Sequence, residues 1–433
     1  MNYDDLMRMF VSLSKKTCVD NDIAQKIYFH ILMGAYFNKI KINWGQGKKD
    51  LKLHTLWVQP SRTGKDQLNK YIHSLAKLIN LRSIYGSDIT SDASFIGTID
   101  SEAKKFNMQH NLSLENLSHE NDKGDVFEYK DPIIKGDLGH SDLLIISEFK
   151  IFFQLGERGE KLLTVIQPAL DCPSLIRKKM RDIEFLDYES DSTFVMTTIP
   201  FKKMNESILE QGFFQRLLIF IKRMTISEVR DMRKKAFTVL SNIDLEKFDR
   251  ELQELANNIL KINNDVKLIK IRPEAHNVIN TIIDRFFDDI ENFVTGSEAS
   301  AATSFTNSVQ DALLKCAAHV ALIEGRTEIT VKDINKVYFN VVKPFRDCII
   351  NEIEADQDPE EALREKGYFA FVKNILEKEK EIPKMTLVEL FKNKFNCSKS
   401  TSLRRIDNLH LRNFIVIDEE VDENTRKFVR LKG

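Results

Sequence analysis

The sequence predicts an α/β domain, then a helical domain, then a small terminal module of three helices and a hairpin. Three observations carry that prediction. An apolar run, residues 53–58, leads through a loop with Pro60, Gly64 and Lys65 into a segment with Leu68, Ile72, Leu75, Leu78 and Ile79 at helical spacing. A second run, residues 143–146, reads as a buried strand and follows the first at a separation suited to intervening β/α units. From Glu228 onward the pattern is helical and charged, with no strand signal until the end of the chain.

Composition bounds the function. The chain has 433 residues, enough for two or three domains, and 64 basic against 65 acidic side chains, so any nucleic-acid surface must be local. Hydrophobic residues are 42% and charged residues 30%, the balance of a soluble globular protein. The five cysteines, Cys18, Cys172, Cys316, Cys348 and Cys397, are scattered and never in a C-x-x-C pair, which fits a reduced cytoplasmic or nucleoid-associated setting. The start, MNYDDLMRMF, lacks a basic region before an apolar core, and no stretch approaches the ~20 apolar residues of a membrane helix, so no membrane partner is expected.

In order, residues 1–42 read as a helical lead-in that ends at Gly45 and Gly47. Residues 43–225 form the α/β core and 226–352 the helical domain. Within the core, residues 107–130 read as an exposed loop or hairpin. Residues 353–366 are an acidic linker. Residues 367–433 read as helices 368–378, 387–395 and 400–409 followed by strands FIVI and KFVRL, the order of a winged helix.

The candidate chemistry begins at the first loop. A phosphate-binding loop needs a strand, a turn and a helix, because backbone N–H groups and the helix N-terminus face the anion while a lysine reaches the outer phosphates. Pro60, Ser61, Arg62, Thr63, Gly64, Lys65, Asp66 and Gln67 fill that place, with Gln59 where the pattern has its first glycine and Asp66 where it has a hydroxyl. The alternative is an ordinary turn before a helix. Ser147 and Glu148 end the strand 143–146, and Glu148 is placed to orient an attacking water; the alternative is a core strand ending in a surface charge. Thr197 and Thr198 end a further strand, 193–198, and either touch the outer phosphate or form a plain turn before Pro200. Arg177, Lys178, Lys179 and Arg181 form a basic cluster suited to a nucleic-acid backbone, or a solvated surface. Arg216 sits among Phe213, Phe214, Leu217 and Leu218, held either to offer a cation to a neighbour's ATP or in a structural ion pair. Lys399, Arg404, Arg405 and Arg412 lie on or near the third terminal helix, beside an acidic turn, and point to DNA or to protein docking.

The order of these pieces resembles the AAA+ ATPase core of the minichromosome maintenance helicase family. QPSRTGKDQ is similar to that family's phosphate loop, GDPGTAKSQ, including the trailing Gln67. KGDLGHSDLLIISEFKIFF resembles its acidic-strand region, GFFQRLLIF its arginine-finger segment, and ALLKCAAHVALIEGRTEITVKDI its helical lid. The resemblance spans roughly residues 20–433. It implies an α/β phosphate-loop AAA+ domain with a helical lid, followed by a small winged-helix domain. It also implies ATP and Mg2+ as cofactors, Lys65 as the phosphate lysine, Glu148 as the water-polarising group, Thr197 or Thr198 as the sensor, and Arg216 as a finger acting on a neighbouring subunit. The cluster Arg177–Arg181 falls where the family has a DNA-touching hairpin. The sequence departs from the family at Ile199, where an asparagine precedes the proline, at 308–310, where a lid arginine is usual, and in showing no counterpart of the family's N-terminal DNA-binding domain. The two altered positions, one on the loop and one on the strand, are complementary: Asp66 replaces a hydroxyl and Ser147 replaces a carboxylate, so the pair would still offer one of each to Mg2+. The expectation is a homo-hexameric, ATP-driven DNA motor on single-stranded or forked DNA. Its rivals are an ATP-dependent initiator that does not unwind and a non-hydrolysing scaffold.

Overall fold

Asparagine caps open the first two helices. In the computed structural model α1 (Tyr3–Lys15) begins where the Asn2 side chain accepts the Asp5 N–H, and α2 (Asp22–Tyr36) where Asn21 accepts from Ala24. The structure describes residues 2–17, 21–45, 47–86, 95, 97–113, 117–120, 126–131, 133–149, 157–171, 174–179, 185–199, 214–222, 224, 226–241, 243–293, 305–348, 359–395, 398–411, 415–420 and 426–431. Gly34 in α2 permits a close backbone approach, since a Cβ there would meet Leu51 O at 2.8 Å. Strands β1 (Lys41–Trp44) and β2 (Gly47–Asp50) then form an antiparallel hairpin turned at Gly45, with φ +58°. The two glycines expected only to end a helical pattern therefore build a strand reversal.

The strand–loop–helix unit follows as β3 (His54–Val58) and α3 (Lys65–Leu78), with β4 (Ser83–Gly86) next. An excursion comes before the next core strand: β5 (Gly97–Ile99), α4 (Ser101–Gln109), β6 (Ser118–Glu120), β7 (Val126–Glu128), β8 (Ile133–Lys135) and α5 (Asp137–His140). In it β6 and β7 pair antiparallel, so the polar stretch 107–130 contains a hairpin. The core resumes with β9 (Leu143–Ile146), α6 (Glu157–Ala169), the antiparallel pair β10 (Ser174–Lys179) and β11 (Phe185–Ser190), then β12 (Thr193–Thr198) and β13 (Leu217–Ile221).

The core is mixed α/β with a parallel central sheet in the order β13-β3-β12-β9-β4. β3, β9 and β12 are buried at every position, which is why they show no alternation of apolar and exposed residues. Burying each Leu, Ile or Val there stabilises the fold by roughly 1.5–3 kcal/mol. The chain leaves β3 towards β4 at one edge and leaves the adjacent β12 towards β13 at the other. Such a reversal opens a crevice at the C-terminal ends of the two strands, where ligands of open α/β sheets bind.

After the sheet come α7 (Ile226–Ser241), α8 (Leu245–Leu260), β14 (Leu268–Ile271), α9 (Pro273–Phe293), α10 (Thr306–Ile323), β15 (Glu328–Ile329) and α11 (Val331–Val337). The region expected to be wholly helical thus carries two strands. β14 pairs in parallel with both β1 and β15, completing a second sheet ordered β15-β14-β1-β2. Four and two residues are too few to show a period, so the sequence hid them.

Two compact units divide the chain. One comprises residues 1–283 and 307–348, the other 284–306 and 349–433. In the second, α12 (Pro359–Glu379), β16 (Glu381–Pro383), α13 (Lys384–Phe395), α14 (Lys399–Leu411), β17 (Ile415–Glu420) and β18 (Arg426–Leu431) surround a core that includes Val372, Leu387, Phe391, Ile406 and Val429. The acidic segment expected as a linker is helical from Pro359, a residue suited to the first helical position. A third strand, β16, joins the expected pair in the order β16-β18-β17. Among the described residues no helix is long and apolar enough to cross a membrane.

Candidate functional site at the ends of the central strands

The loop after β3 leaves the sheet beside the end of β12, where Gln59 N–H donates to Thr198 O at 3.1 Å. Gln59 is fully buried. Its Oε1 accepts from Trp57 Nε1 at 2.9 Å and from Asn21 Nδ2 at 3.5 Å, while its Nε2 donates to Thr63 O at 3.2 Å. The residue that breaks the glycine pattern therefore cross-links the two ends of the loop. Thr63 Oγ1 donates to Pro60 O at 2.6 Å, and Arg62 and Gly64 take φ values of +61° and +94°. Left-handed residues in a short loop turn successive N–H groups to one side, as anion-binding nests do. Ser61 and Arg62 are exposed, Pro60, Gly64 and Gln67 half-buried, and Asp66 is exposed in the first turn of α3.

Lys65 opens α3 and folds back over the loop. Its Nζ donates to Gln59 O and, at 3.2 Å, to Pro60 O. Burial pushes the ammonium down to about 8, against the opposing pull of the Asp66 and Glu148 carboxylates. The loop lysine and the residue ending β9 thus share one electrostatic neighbourhood although they are far apart in sequence.

At the end of β9, Ser147 is buried with its Oγ unpartnered, and Glu148 is exposed. The two threonines of β12 differ. Thr197 Oγ1 donates to Ser147 O at 2.9 Å and accepts from Asn69 Nδ2 at 3.3 Å, and Tyr28 OH donates to Asn69 Oδ1 at 2.8 Å. Thr198 Oγ1 is buried with no hydrogen-bond partner among the described residues. Thr197 is therefore committed to tying α2, α3, β12 and β9 together, while Thr198 keeps its hydroxyl unspent. Sequence reasoning missed Asn69 and Tyr28. Asn69 was detectable, because it lies beside Leu68 and one turn before Ile72 on the buried side of α3.

Asp66 and Ser147, expected to hold Mg2+, carry a carboxylate and a hydroxyl, hard oxygen ligands of the kind that ion takes. Among the described residues no group of three or more His, Cys, Asp or Glu is placed to hold a metal. A cation here would draw the rest of its shell from phosphate and water oxygens.

The remaining candidates lie elsewhere. Arg216, on a single turn before β13, donates from Nε to Asp171 Oδ1 at 2.7 Å, the ion pair its sequence allowed. Arg177, Lys178 and Lys179 occupy β10 opposite Asp187, Leu186 and Phe185 of β11, so the cluster sits on a hairpin inserted between β9 and β12. Arg181 and Arg412 lie outside the described residues. Lys399, Arg404 and Arg405 are on α14. Arg405 is half-buried with its guanidinium 5.6 Å from the Tyr368 ring centre, a packing position within its own module. No protein-family model and no curated protein matches this sequence.

Proposed function

We propose that this chain is an ATP-hydrolysing AAA+ motor, similar to the minichromosome maintenance helicases, that works as a homo-hexameric ring on single-stranded or forked DNA. One observation carries the reading. The loop with Lys65, the strand ending in Ser147 and Glu148, and the strand ending in Thr198 belong to one parallel sheet, and they end at the same edge beside its reversal point. Numbered along the chain the sheet runs 5-1-4-3-2, an order that brings the loop strand next to the sensor strand.

In this mechanism Lys65 exchanges the Gln59 and Pro60 carbonyls for phosphate oxygens. Its charge then neutralises the negative charge that grows on the transferred phosphoryl group. Glu148, exposed at the strand end, orients the attacking water and accepts its proton. Thr198 offers its hydroxyl to the outer phosphate. Asp66 and Ser147 would hold Mg2+, which supplies charge neutralisation and a template for the phosphates. Arg216 belongs to the neighbouring subunit's site in the ring, and the β10–β11 hairpin carries Lys178 and Lys179 to the DNA. Helices α12 to α14 with β16 to β18 have the order of a winged helix.

ATP turnover stimulated by single-stranded DNA together with strand displacement tests the reading. Turnover without displacement favours the initiator. Changing Lys178 and Lys179 to alanine should leave basal turnover intact while flattening the salt dependence of DNA binding by ~0.7 to 0.9 per lost contact. The scaffold reading has one observation in its favour. Gln59 and Lys65 both bond the loop's own carbonyls, and a scaffold would bind ATP, if at all, without turnover.

A further inference from the structure

Charge is nearly balanced over the whole chain, 64 basic against 65 acidic side chains, but α7 concentrates it. That helix carries Arg230, Arg233, Lys234 and Lys235 against Glu228 and Asp231. At ~100° per residue, Val229, Met232 and Ala236 share one face, and all three are half-buried, so this side is turned to the protein. Arg230, Arg233, Lys234 and Phe237, at i, i+3, i+4 and i+7, share another face within an arc of ~100°. All four are exposed. Phe237 is 78% exposed, more than any other large apolar side chain among the described residues. The two carboxylates lie outside the arc, and among the described residues none is bonded to Arg230, Arg233 or Lys234.

A lone exposed phenylalanine is ordinary, but one set on the same face as three such cations narrows the choice of partner. Residues three and four apart on a helix have Cβ atoms about 5–6 Å from one another, and Arg230 to Phe237 covers about 10 Å along the axis. The cations are thus close enough to meet neighbouring phosphates of one strand, with Phe237 at the end of the row. Two of the three are arginines, whose planar forks match phosphate oxygens in pairs. The Phe237 ring offers a stacking platform, which unpaired bases use and a duplex, with its bases already stacked, does not. An acidic peptide would engage the cations and leave Phe237 without a role. A membrane surface would need a broad apolar face, and the apolar face of α7 is the half-buried one.

We infer that the outer face of α7 binds single-stranded nucleic acid, with Arg230, Arg233 and Lys234 on successive phosphates and Phe237 stacked on a base. The contact lies on a different element from the β10–β11 hairpin. It stands whether or not the chain hydrolyses ATP.

Anisotropy of a labelled oligothymidylate, titrated with the full chain without ATP, tests it. Alanine is the strongest helix former, so alanine changes on this exposed face read binding rather than folding. Arg230→Ala with Arg233→Ala and Lys234→Ala should lower the salt slope of binding by ~2.1, three single-strand contacts. Phe237→Ala should weaken affinity by roughly 5- to 150-fold, the range of one lost stack, and leave the slope unchanged. Phe237→Trp should keep the native affinity, and its added emission should be quenched saturably by the oligothymidylate. Both losses should keep their size in a chain that already carries Lys178→Ala and Lys179→Ala, which separates this face from the hairpin. A salt slope unchanged by the triple change, or an affinity unchanged by Phe237→Ala, overturns the inference. Losses as large on duplex DNA would overturn the choice of single strands. Equal competition by polyglutamate would make the face a site for an acidic protein instead.

Discussion

At the scale of single residues the site turns on two pairs. On the proposed reading Asp66 and Ser147 exchange the usual roles, a carboxylate on the loop and a hydroxyl at the strand end, and Ser147 Oγ has no hydrogen-bond partner among the described residues. If both serve one ion, they are energetically coupled, by ~0.5 to 3 kcal/mol for residues in one network. We expect Asp66→Ser and Ser147→Asp each to impair magnesium-dependent turnover, leaving no carboxylate in one case and two in the other. The double change should recover much of the loss. Strictly additive losses would show that the two positions act separately. The second pair is Thr197 and Thr198. Thr197→Val removes a hydroxyl bonded to Ser147 O and Asn69, which strands buried partners and should lower stability by about 1–3 kcal/mol in denaturant titration. Thr198→Val removes a hydroxyl with no partner, so stability should hold while turnover falls. Equal destabilisation by both would contradict that division of roles.

At the scale of elements, the turn that carries Arg216 sets an assembly question. Its ion pair with Asp171 joins two partly exposed side chains, and such pairs contribute about 0–1 kcal/mol. Mixing a Lys65→Ala chain, which keeps its Arg216, with an Arg216→Ala chain, which keeps its Lys65 loop, should restore part of the turnover that each lacks alone. Mixtures as inactive as their components would confine Arg216 to its own chain. The same elements show what a sequence discloses. β9 was legible because a strand buried on both faces spells an unbroken apolar run, and β3 and β12 from their apolar stretches Leu56–Val58 and Phe194–Met196. The winding of α3 was legible from its stripe, Leu68, Ile72 and Leu75. The sheet order was not, because it depends on pairings such as Thr198 with Val58, 140 positions apart. β14 and β15 were not, having too few residues to show a repeated pattern. Gln59 read as a defect in a glycine pattern, and only its bonds to Trp57 and Thr63 reveal a cross-link. The choice between Thr197 and Thr198 needed Asn69, brought over from α3.

At the scale of the whole molecule, three buried histidines tie stability to pH. His319 Nε2 faces Leu51 O, which can only accept, so that nitrogen donates. His319 Nδ1 then accepts from His30 Nδ1, and His30 Nε2 accepts from Tyr3 OH. His54 likewise donates from Nε2 to Leu170 O and accepts the Phe194 N–H at Nδ1. All three are satisfied as neutral rings. Burial drives His30 well down, with His319 adding to it. Burial takes His319 down to about 3 against the Leu51 bond, with Lys315 lowering it further. Burial also takes His54 down to about 3, helped by Lys315 and opposed by Asp50. The folded values lie below the unfolded 6.5, so the unfolded chain binds more protons between about 3 and 6.5. Stability is complete above that window and is lost as pH falls through it, each group steepening the slope by about 1.4 kcal/mol per pH unit. Denaturant titrations at neutral and mildly acidic pH should show this, and a pH-independent midpoint would refute it.

The central claim concerns chemistry at the strand ends, and one comparison reaches it directly: magnesium-dependent ATP turnover by the native chain against Glu148→Gln, with ATP binding measured for both. Glu148 is exposed and makes no hydrogen bond to the loop among the described residues, so the variant should bind ATP as the native chain does. Its turnover should fall by ~10²- to 10⁴-fold, the contribution of a positioned general base. Equal turnover in the two chains, or none in the native chain, would contradict the assignment of an ATP-hydrolysing site to the ends of β3, β9 and β12.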